Sequence, residues 1–475
     1  MRTPGARAHP MSVQSHNATP PAPAIAPGSE TIDPRRIAEG LAARGMDPRI
    51  TRAVPAFNAP FFQAGLAGYS DAAMRIIARR HGCPYCVTEA LLDRVLLAGG
   101  RGFDKADLGE LRDNIPGGAA DQPLAGQIMG SEPAEMAAAA LKMVEQRRRS
   151  DREYRELAYA RAGSFEPPDP QHLRLPGGEQ LGRLDPTEGL GDCEDSCDPL
   201  DHLDGPDGFD TSVAAREASP RSDSSFQAID VNLACPVKKI ERKARGGHWL
   251  AEPEGAIRIL EAVREAVPRE VACTVKLRRA FDDTPEMASN CERILKAAAA
   301  MGYAWATVHA RTVQQKYVGP SRWDILAGIV SRTPELPILG SGDIWDAADI
   351  FRMIAYTGVS GVAVARGCIG NPWIFRQARQ LMAGHQPAPP SLVEQRDVLR
   401  AHFDLSLAVT RRFRHAEETT CRNMRKFAIK FAQHHPNADA VRRRFVHVET
   451  AEQWLTTLDE CYPKDTGLRL SANSP

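Results

Sequence analysis

The stretch Ala228-Ile229-Asp230-Val231-Asn232-Leu233-Ala234-Cys235-Pro236 carries a short β-rich run that stops at a polar residue and is closed by a proline. Ala228–Asn232 is predicted to be a strand, because a brief apolar run with β-branched side chains suits burial within a sheet. Pro236 has no N–H to give a sheet ladder, so Cys235 falls just beyond the strand's C-terminal end. Working outward, further strands are predicted at Phe61–Leu66, Tyr85–Thr88, Leu124–Ile128, Ala272–Leu277, Ala304–Val308, Pro337–Leu339 and Gly361–Val364. Amphipathic helical patterns lie between them, at Asp71–Arg80, Pro133–Gln146, Pro253–Ala266, Pro285–Ala300 and Asp346–Tyr356, the last opening on Asp346, a good N-cap residue. Eight strands with helical crossovers over about 320 residues fit an α/β fold of the (β/α)8 TIM-barrel kind. The competing architecture is an open doubly wound sheet, but its G-x-G-x-x-G fingerprint does not follow the first strand.

The chain has 475 residues, enough for two folded units, since a single core stops growing at about 250–300. Its 43% hydrophobic and 25% charged content is that of a soluble globular protein, and no run approaches the roughly 18 apolar residues that span a bilayer. A membrane role is therefore not expected. Residues 1–52 lack the apolar core of a secretory signal and read as a disordered or irregular leader. Ten cysteines are scattered over the whole length, which suits reduced thiols in a cytoplasm better than a disulfide scaffold.

The net charge of zero conceals a separation. Residues 150–225 hold 18 acidic and 7 basic side chains, net −11, which leaves +11 on the rest. This acidic, Pro- and Gly-rich stretch is read as a disordered insert in a barrel domain spanning 53–385. From 386 to 475 the pattern is helical alone, predicting a C-terminal all-α domain. Val393–Val446 carries 12 Arg or Lys against 6 Asp or Glu, and Arg422, Arg425, Lys426 and Lys430 recur at helical spacing. Charge alone leaves a solvated face and a phosphate-binding face equally open.

In a TIM barrel the reactive groups sit where strands end. Here strand three ends at Gln127, strand four at Asn232 with Cys235 beyond, strand five at Lys276 and Arg278, and strand six at His309 and Arg311. After strands seven and eight come Gly340-Ser341-Gly342-Asp343 and Arg366-Gly367. Two glycine turns in those places suit a phosphorylated cofactor, because glycine lets backbone N–H groups approach an anion. A cationic Lys276 with Gln127 and His309 on the inner rim would hold a polar ring.

The segments Ala64-Gly65-Leu66-Ala67-Gly68-Tyr69-Ser70-Asp71, Gly126-Gln127-Ile128-Met129-Gly130, Asp230 to Pro236, Val275-Lys276-Leu277-Arg278, Val308-His309-Ala310-Arg311-Thr312, Gly340-Ser341-Gly342-Asp343-Ile344 and Ala365-Arg366-Gly367 stand in the order seen in tRNA-dihydrouridine synthases. The chain resembles that family from about Phe57 to Phe375 outside the insert, and its Cys235-Pro236-Val237-Lys238-Lys239 wording resembles the bacterial B-type branch. The resemblance implies an FMN-containing barrel followed by a helical tRNA-binding domain, with NADPH as reductant. Motif matching puts Gly65, Leu66 and Ala67 at the flavin's border and Gln127, Lys276 and His309 around its ring. It puts Ser341, Gly342, Asp343, Arg366 and Gly367 at its phosphate end, and Asn232 and Arg311 against the uracil. Arg422, Arg425 and Lys426 then fall to tRNA. The reaction implied is hydride delivery to C6 of a flipped-out uridine and protonation of C5 by Cys235, for which a thiol with an ordinary pKa of about 8.5 is suitably protonated.

Two motifs depart from the family: Ala-Gly-Leu stands for its usual Ala-Pro-Met, and Gly-Ser-Gly-Asp for Ala-Asn-Gly-Asp. Both regions would touch the cofactor mainly through backbone, so binding is expected to survive. The alternatives are an FMN barrel acting on a small molecule, which has no use for a basic tail, and a catalytically inactive RNA-binding barrel. Cys83-x-x-Cys86 and Cys193-x-x-x-Cys197 are read as buried or idle thiols, with no metal expected. A monomer with no obligate protein partner is expected.

Overall fold

A computed structural model describes residues 28–29, 31–98, 118–145, 226–236, 246–410 and 415–464. Its eight strands are β1 (Phe61–Gln63), β2 (Cys86–Leu92), β3 (Leu124–Met129), β4 (Ala228–Leu233), β5 (Ala272–Arg278), β6 (Trp305–His309), β7 (Ile338–Ser341) and β8 (Gly361–Val364). All neighbours are parallel, and β1 pairs with β8 to close the barrel, which excludes the open sheet. The helices are α1 (Pro34–Arg44), α2 (Pro48–Ala53), α3 (Ala72–Arg80), α4 (Asp93–Ala98), α5 (Pro133–Glu145), α6 (Pro253–Ala266), α7 (Pro285–Ala300), α8 (Trp323–Arg332), α9 (Ala347–Thr357), α10 (Trp373–Met382), α11 (Leu392–Thr410), α12 (Ala416–Phe431), α13 (Ala438–Val446) and α14 (Ala451–Cys461). Asp346 caps α9 as anticipated, in a reciprocal capping box with Asp349.

Because side chains alternate across a strand, each run divides its residues between the inside of the barrel and the helical shell. Ile229, Val231, Val275, Leu277, Ala306 and Val308 belong to the large core under the helices. Asp230, Asn232, Thr274, Lys276, Trp305, Thr307 and His309 occupy the alternate positions, so the polar half of each strand faces inward. Strand register ranks them in layers: Gln127 beside Asp230 and Asp230 beside Thr274, then Asn232 beside Lys276 and Lys276 beside Thr307, then Arg278 beside His309 and His309 beside Ser341. Beneath them a second apolar cluster of Phe62, Tyr85, Val87, Trp305 and Leu339 fills the barrel.

That plug is completed from the N-terminal region. Residues 31–52, read from sequence as part of an irregular leader, contain α1 and most of α2. Both helices start on an Asp N-cap followed by proline, Asp33-Pro34 and Asp47-Pro48. Ile50 and Val54 close the bottom of the barrel with Phe57, whose ring stacks on Tyr85 at 4.9 Å. Too few apolar residues mark this segment for its composition to reveal a tertiary role.

Beyond α10 the chain is helical, and it is fastened to the barrel in two places. A Cβ on Gly370 would lie 2.6 Å from the backbone of Lys430 and Phe431, so only glycine allows the barrel exit to pack on the end of α12. Trp373 meets Phe431 and His434 edge-on at 5.5 and 5.1 Å. On the other side, Lys426 donates to the carbonyl of Gly68 and lies 4.7 Å over the Tyr69 ring. The acidic insert 150–225, Arg147-Arg148-Arg149, Lys238, Lys239, Arg242, Lys243, Arg411, Arg412, Arg414, Cys193 and Cys197 lie outside the described residues.

Candidate active site at the barrel mouth

Four side chains from β3, β4 and β5 form one hydrogen-bonded series. Thr274 donates to Oδ1 of Asp230 at 2.6 Å, and Gln127 Nε2 donates to Oδ2 at 2.7 Å. Asn232 Nδ2 donates to Gln127 Oε1 at 2.8 Å, and the Ala234 N–H donates to Asn232 Oδ1 at 2.9 Å. The series ends one residue before Cys235, which is half-buried, while the other described cysteines of the barrel are buried. Arg278 braces the same loop, donating to Ala234 O at 3.0 Å as well as to Thr312 O and Lys316 O. Gly247 N–H donates to Cys235 O at 2.8 Å, and a Cβ on that glycine would come within 3.0 Å of the oxygen.

Lys276 lines the same space and donates no hydrogen bond among the described residues. Burial lowers its pKa, with Arg278 adding to the effect and Asp230 and Cys235 opposing it. His309 is held well below the ordinary imidazole value by burial and by Arg278, Lys276, Arg311 and Arg366 around it, so it is neutral near pH 7. Its Nδ1 accepts from the Arg311 backbone at 3.1 Å, which leaves the proton on Nε2. The mouth therefore presents donors: an ammonium, an imidazole N–H, and one uncommitted hydrogen on each amide nitrogen of Gln127 and Asn232. Below them, between Gln127, Asp230, Lys276 and Trp305, a void has room for about a single water. A larger ligand belongs above that layer.

The turns after β7 and β8 meet closely. Gly342 has φ +122, and a Cβ on Gly367 would fall 2.1 Å from the carbonyl oxygen of Ile344. Ser341 is buried in the barrel wall. Asp343, at φ 56, accepts from Arg311 Nη2 at 2.7 and 2.8 Å and from both the N–H and Oγ of Ser321. Its carboxylate thus neutralises Arg311, and only its backbone remains for an anion. Arg311, expected at the uracil, is turned to Asp343 and to Gly319 O, with Nη1 buried and unpartnered. Arg366 stands at the rim between the Tyr317 and Trp345 rings, at 5.0 and 5.1 Å. Burial, then Arg311, lowers its pKa.

The first turn is also near. A Cβ on Gly65 would lie 2.3 Å from Thr88 O and 3.2 Å from Gln127 Oε1, a reason for glycine where proline is usual. The N–H of Leu66 is taken by Ser70 Oγ, and Ala67 is exposed. Of the basic tail residues, Arg422 is exposed, Arg425 donates to Val446 O, and Lys426 is committed to Gly68 and Tyr69. An open groove of about 620 Å³ between α13 and α14 is lined by Arg443, Arg444 and His447. The contributions of Asp230, Thr274, Tyr317 and Trp345 were not assigned from sequence. For the first two a signal existed, the period-2 spacing that aligns them with Asn232 and Lys276.

The fold and the site together define a closed parallel (β/α)8 barrel with a donor-lined mouth and two glycine turns after its last strands. The model for the dihydrouridine synthase family matches residues 208–466, more than half of the chain, and the chain belongs to that family. A probable tRNA-dihydrouridine synthase of Mycobacterium tuberculosis is 33% identical over 256 residues, 52% of this chain and 64% of that protein. One from Treponema pallidum is 31% identical over 264 residues, covering 54% and 75%, and tRNA-dihydrouridine synthase B of Proteus vulgaris is 29% identical over 253 residues, covering 53% and 75%. The chain spans less than two thirds of the mycobacterial and rickettsial relatives, 64% and 59%. Among solved structures, the old yellow enzyme from Trypanosoma cruzi is 12% identical with a TM-score of 0.39, covering 70% of this chain and 92% of that one. No helix among the described residues is long and apolar enough to cross a membrane.

Proposed function

We propose that this chain reduces the C5=C6 bond of uridine in tRNA, with FMN as bound cofactor, NADPH as reductant and Cys235 as proton donor. The observation that carries the reading is the donor set beside Cys235: the Lys276 ammonium, which donates no hydrogen bond among the described residues, the Nε2–H of neutral His309, and the spare amide hydrogens of Gln127 and Asn232. Such a surface fits a ring edged with carbonyl and imine acceptors, and a cation there stabilises an electron-rich ring. Arg366 and the turns at Gly342 and Gly367 would hold its phosphate, with Gly65, Leu66 and Ala67 along its border.

When bound, reduced flavin supplies a hydride at C6. Cys235 passes its thiol proton to C5, and donors of the mouth, Asn232 among them, stabilise charge that develops on the uracil carbonyl. Neutral His309 donates without adding a further cation beside Lys276. Arg311 acts here by holding Asp343 and the β6–α8 loop. Exposed Arg422 and the groove with Arg443 and Arg444 support phosphate contact by the helical tail. We read the protein as a cytoplasmic monomer, in keeping with ten cysteines scattered over the whole length rather than concentrated as in a disulfide scaffold.

Purified protein is expected to take up FMN. Cys235→Ala should keep the flavin and its reduction by NADPH, yet lose about 10²- to 10⁴-fold in dihydrouridine formation on unmodified tRNA. Undiminished formation removes the cysteine from the mechanism, and a protein that takes up no flavin removes the whole reading.

A further inference from the structure

We propose that Asp230 is a positioning residue of this site: by accepting two hydrogen bonds at the barrel centre it dictates which ends of Gln127 and Asn232 face each neighbour, and it carries that order to the peptide leading into Cys235. The inference rests on the flavin reading only for its consequence, since the order itself is a property of the protein.

Asp230, Gln127, Thr274 and Asn232 are all buried, and Asp230 is the register neighbour of both Gln127 and Thr274. A primary amide has one donating end and one accepting end, whereas a carboxylate only accepts and a backbone N–H only donates. With Asp230 at one end, Gln127 must turn its nitrogen inward. Its oxygen then meets Asn232 Nδ2, and the Asn232 oxygen meets the N–H of Ala234. Both ends of the series demand the same direction, so no amide is frustrated. Burial raises the Asp230 carboxyl, while Thr274, Gln127 and Lys276 oppose that push.

The order matters chemically. As placed, each amide nitrogen has one hydrogen uncommitted, and the mouth is donor-rich. Turning Gln127 over would exchange its NH2 for a carbonyl oxygen, which repels the acceptors of a bound ring. It would also set its nitrogen against the nitrogen of Asn232, so the error would pass to Ala234 and the Cys235 loop. The carboxylate thus specifies the donor character of groups it does not itself expose.

Two isosteric experiments test this. In apo-protein titrated with FMN, Asp230→Asn keeps an accepting oxygen for Gln127 and can turn its nitrogen to the Thr274 hydroxyl, so the dissociation constant should stay within about threefold of wild type. Asp230→Val has no acceptor and should weaken FMN by about tenfold or more, with a matching change in the alkylation rate of Cys235 read by peptide mass mapping. An Asp230→Val protein that binds FMN as wild type does, or an Asp230→Asn protein as weak as a folded Asp230→Val protein, overturns the proposal. Should the valine variant not fold, the melting temperature of a second set decides the matter without flavin. Asn232→Asp leaves Gln127 between two acceptors and should lower the melting temperature. Adding Asp230→Asn should restore it, because Gln127 can then turn over and satisfy both ends. No loss in the first, or no recovery in the second, sinks the inferred order. Wild type that binds no flavin counts against the proposed function alone.

Discussion

Replacing Gly367 by alanine tests the site where two turns meet. The added Cβ would fall 2.1 Å from Ile344 O, 3.1 Å from Ile344 C and 3.2 Å from Trp345 Cα. All three are backbone atoms, so no side chain can swing aside. Restoring an ordinary separation of 3.4 Å requires the turns after β7 and β8 to part by about 1.3 Å. Overpacking of this kind costs about 1–3 kcal/mol. The same movement draws Arg366 off the Trp345 ring, over which its guanidinium now lies at 5.1 Å. A misplacement of about 1 Å in a preorganised site costs on the order of 10²-fold. Gly367→Ala is therefore expected to raise the FMN dissociation constant by one to two orders of magnitude, read by quenching of flavin fluorescence on apo-protein, with urea unfolding run in parallel. Folded Gly367→Ala protein with an unchanged constant would refute the assignment of this turn to the cofactor phosphate.

Asp93 opens α4 with Oδ2 buried and unpartnered, and burial, with Glu135 adding to it, pushes its carboxyl up to about 6. The folded state then binds the proton more tightly than the unfolded state, so stability falls as pH rises from about 4 to 6, by at most about 3 kcal/mol. Asp93→Asn should gain on wild type across that window in urea unfolding, and a gap that does not change with pH contradicts the argument. Arg75 and Asp121 form a fully buried pair at 2.6 Å. Asp121→Ala removes the carboxylate that balances this buried charge, leaving Arg75 Nη1 on Ser70 O, and should cost about 3–5 kcal/mol, whereas a loss under 1 kcal/mol would mean that the neutral acceptors around Arg75 suffice. Lys426→Met should destabilise the protein by about 1–3 kcal/mol through its lost bond to Gly68 and its place over Tyr69, with little change in the salt slope of tRNA binding. Arg422→Glu should do the reverse, and equal slopes for the two variants would remove the distinction drawn between them.

The strands and their order were legible in the sequence because most are short apolar runs, and Gly361–Val364 was placed to the residue, whereas β2, predicted at Tyr85–Thr88, runs on through the polar Thr88 and Glu89 to Leu92. Polar residues at strand ends likewise pointed to the mouth, and Gln127, Asn232, Cys235, Lys276 and His309 do converge there. What each side chain does at that mouth was less legible. Arg311 and Asp343 were assigned to different ligands, yet they bind each other, a pairing across two loops that neither motif records. Lys426 belongs to a basic stripe, but α12 turns it onto the barrel. The helices of residues 34–53 carried cap signals without an apolar pattern strong enough to announce a barrel plug.

The difference has one physical cause. Local chemistry decides where a strand or helix begins, ends and turns its apolar side, and those decisions are made within a few residues of chain. Direction of an amide, pairing of a guanidinium and protonation of the half-buried His309 depend on groups up to a barrel's width away. The sequence by itself determined that Cys235 stands past the end of the fourth strand. Closure of the barrel decided that Asp230, 103 residues from Gln127 and 44 from Thr274, orders the amides that lead to it.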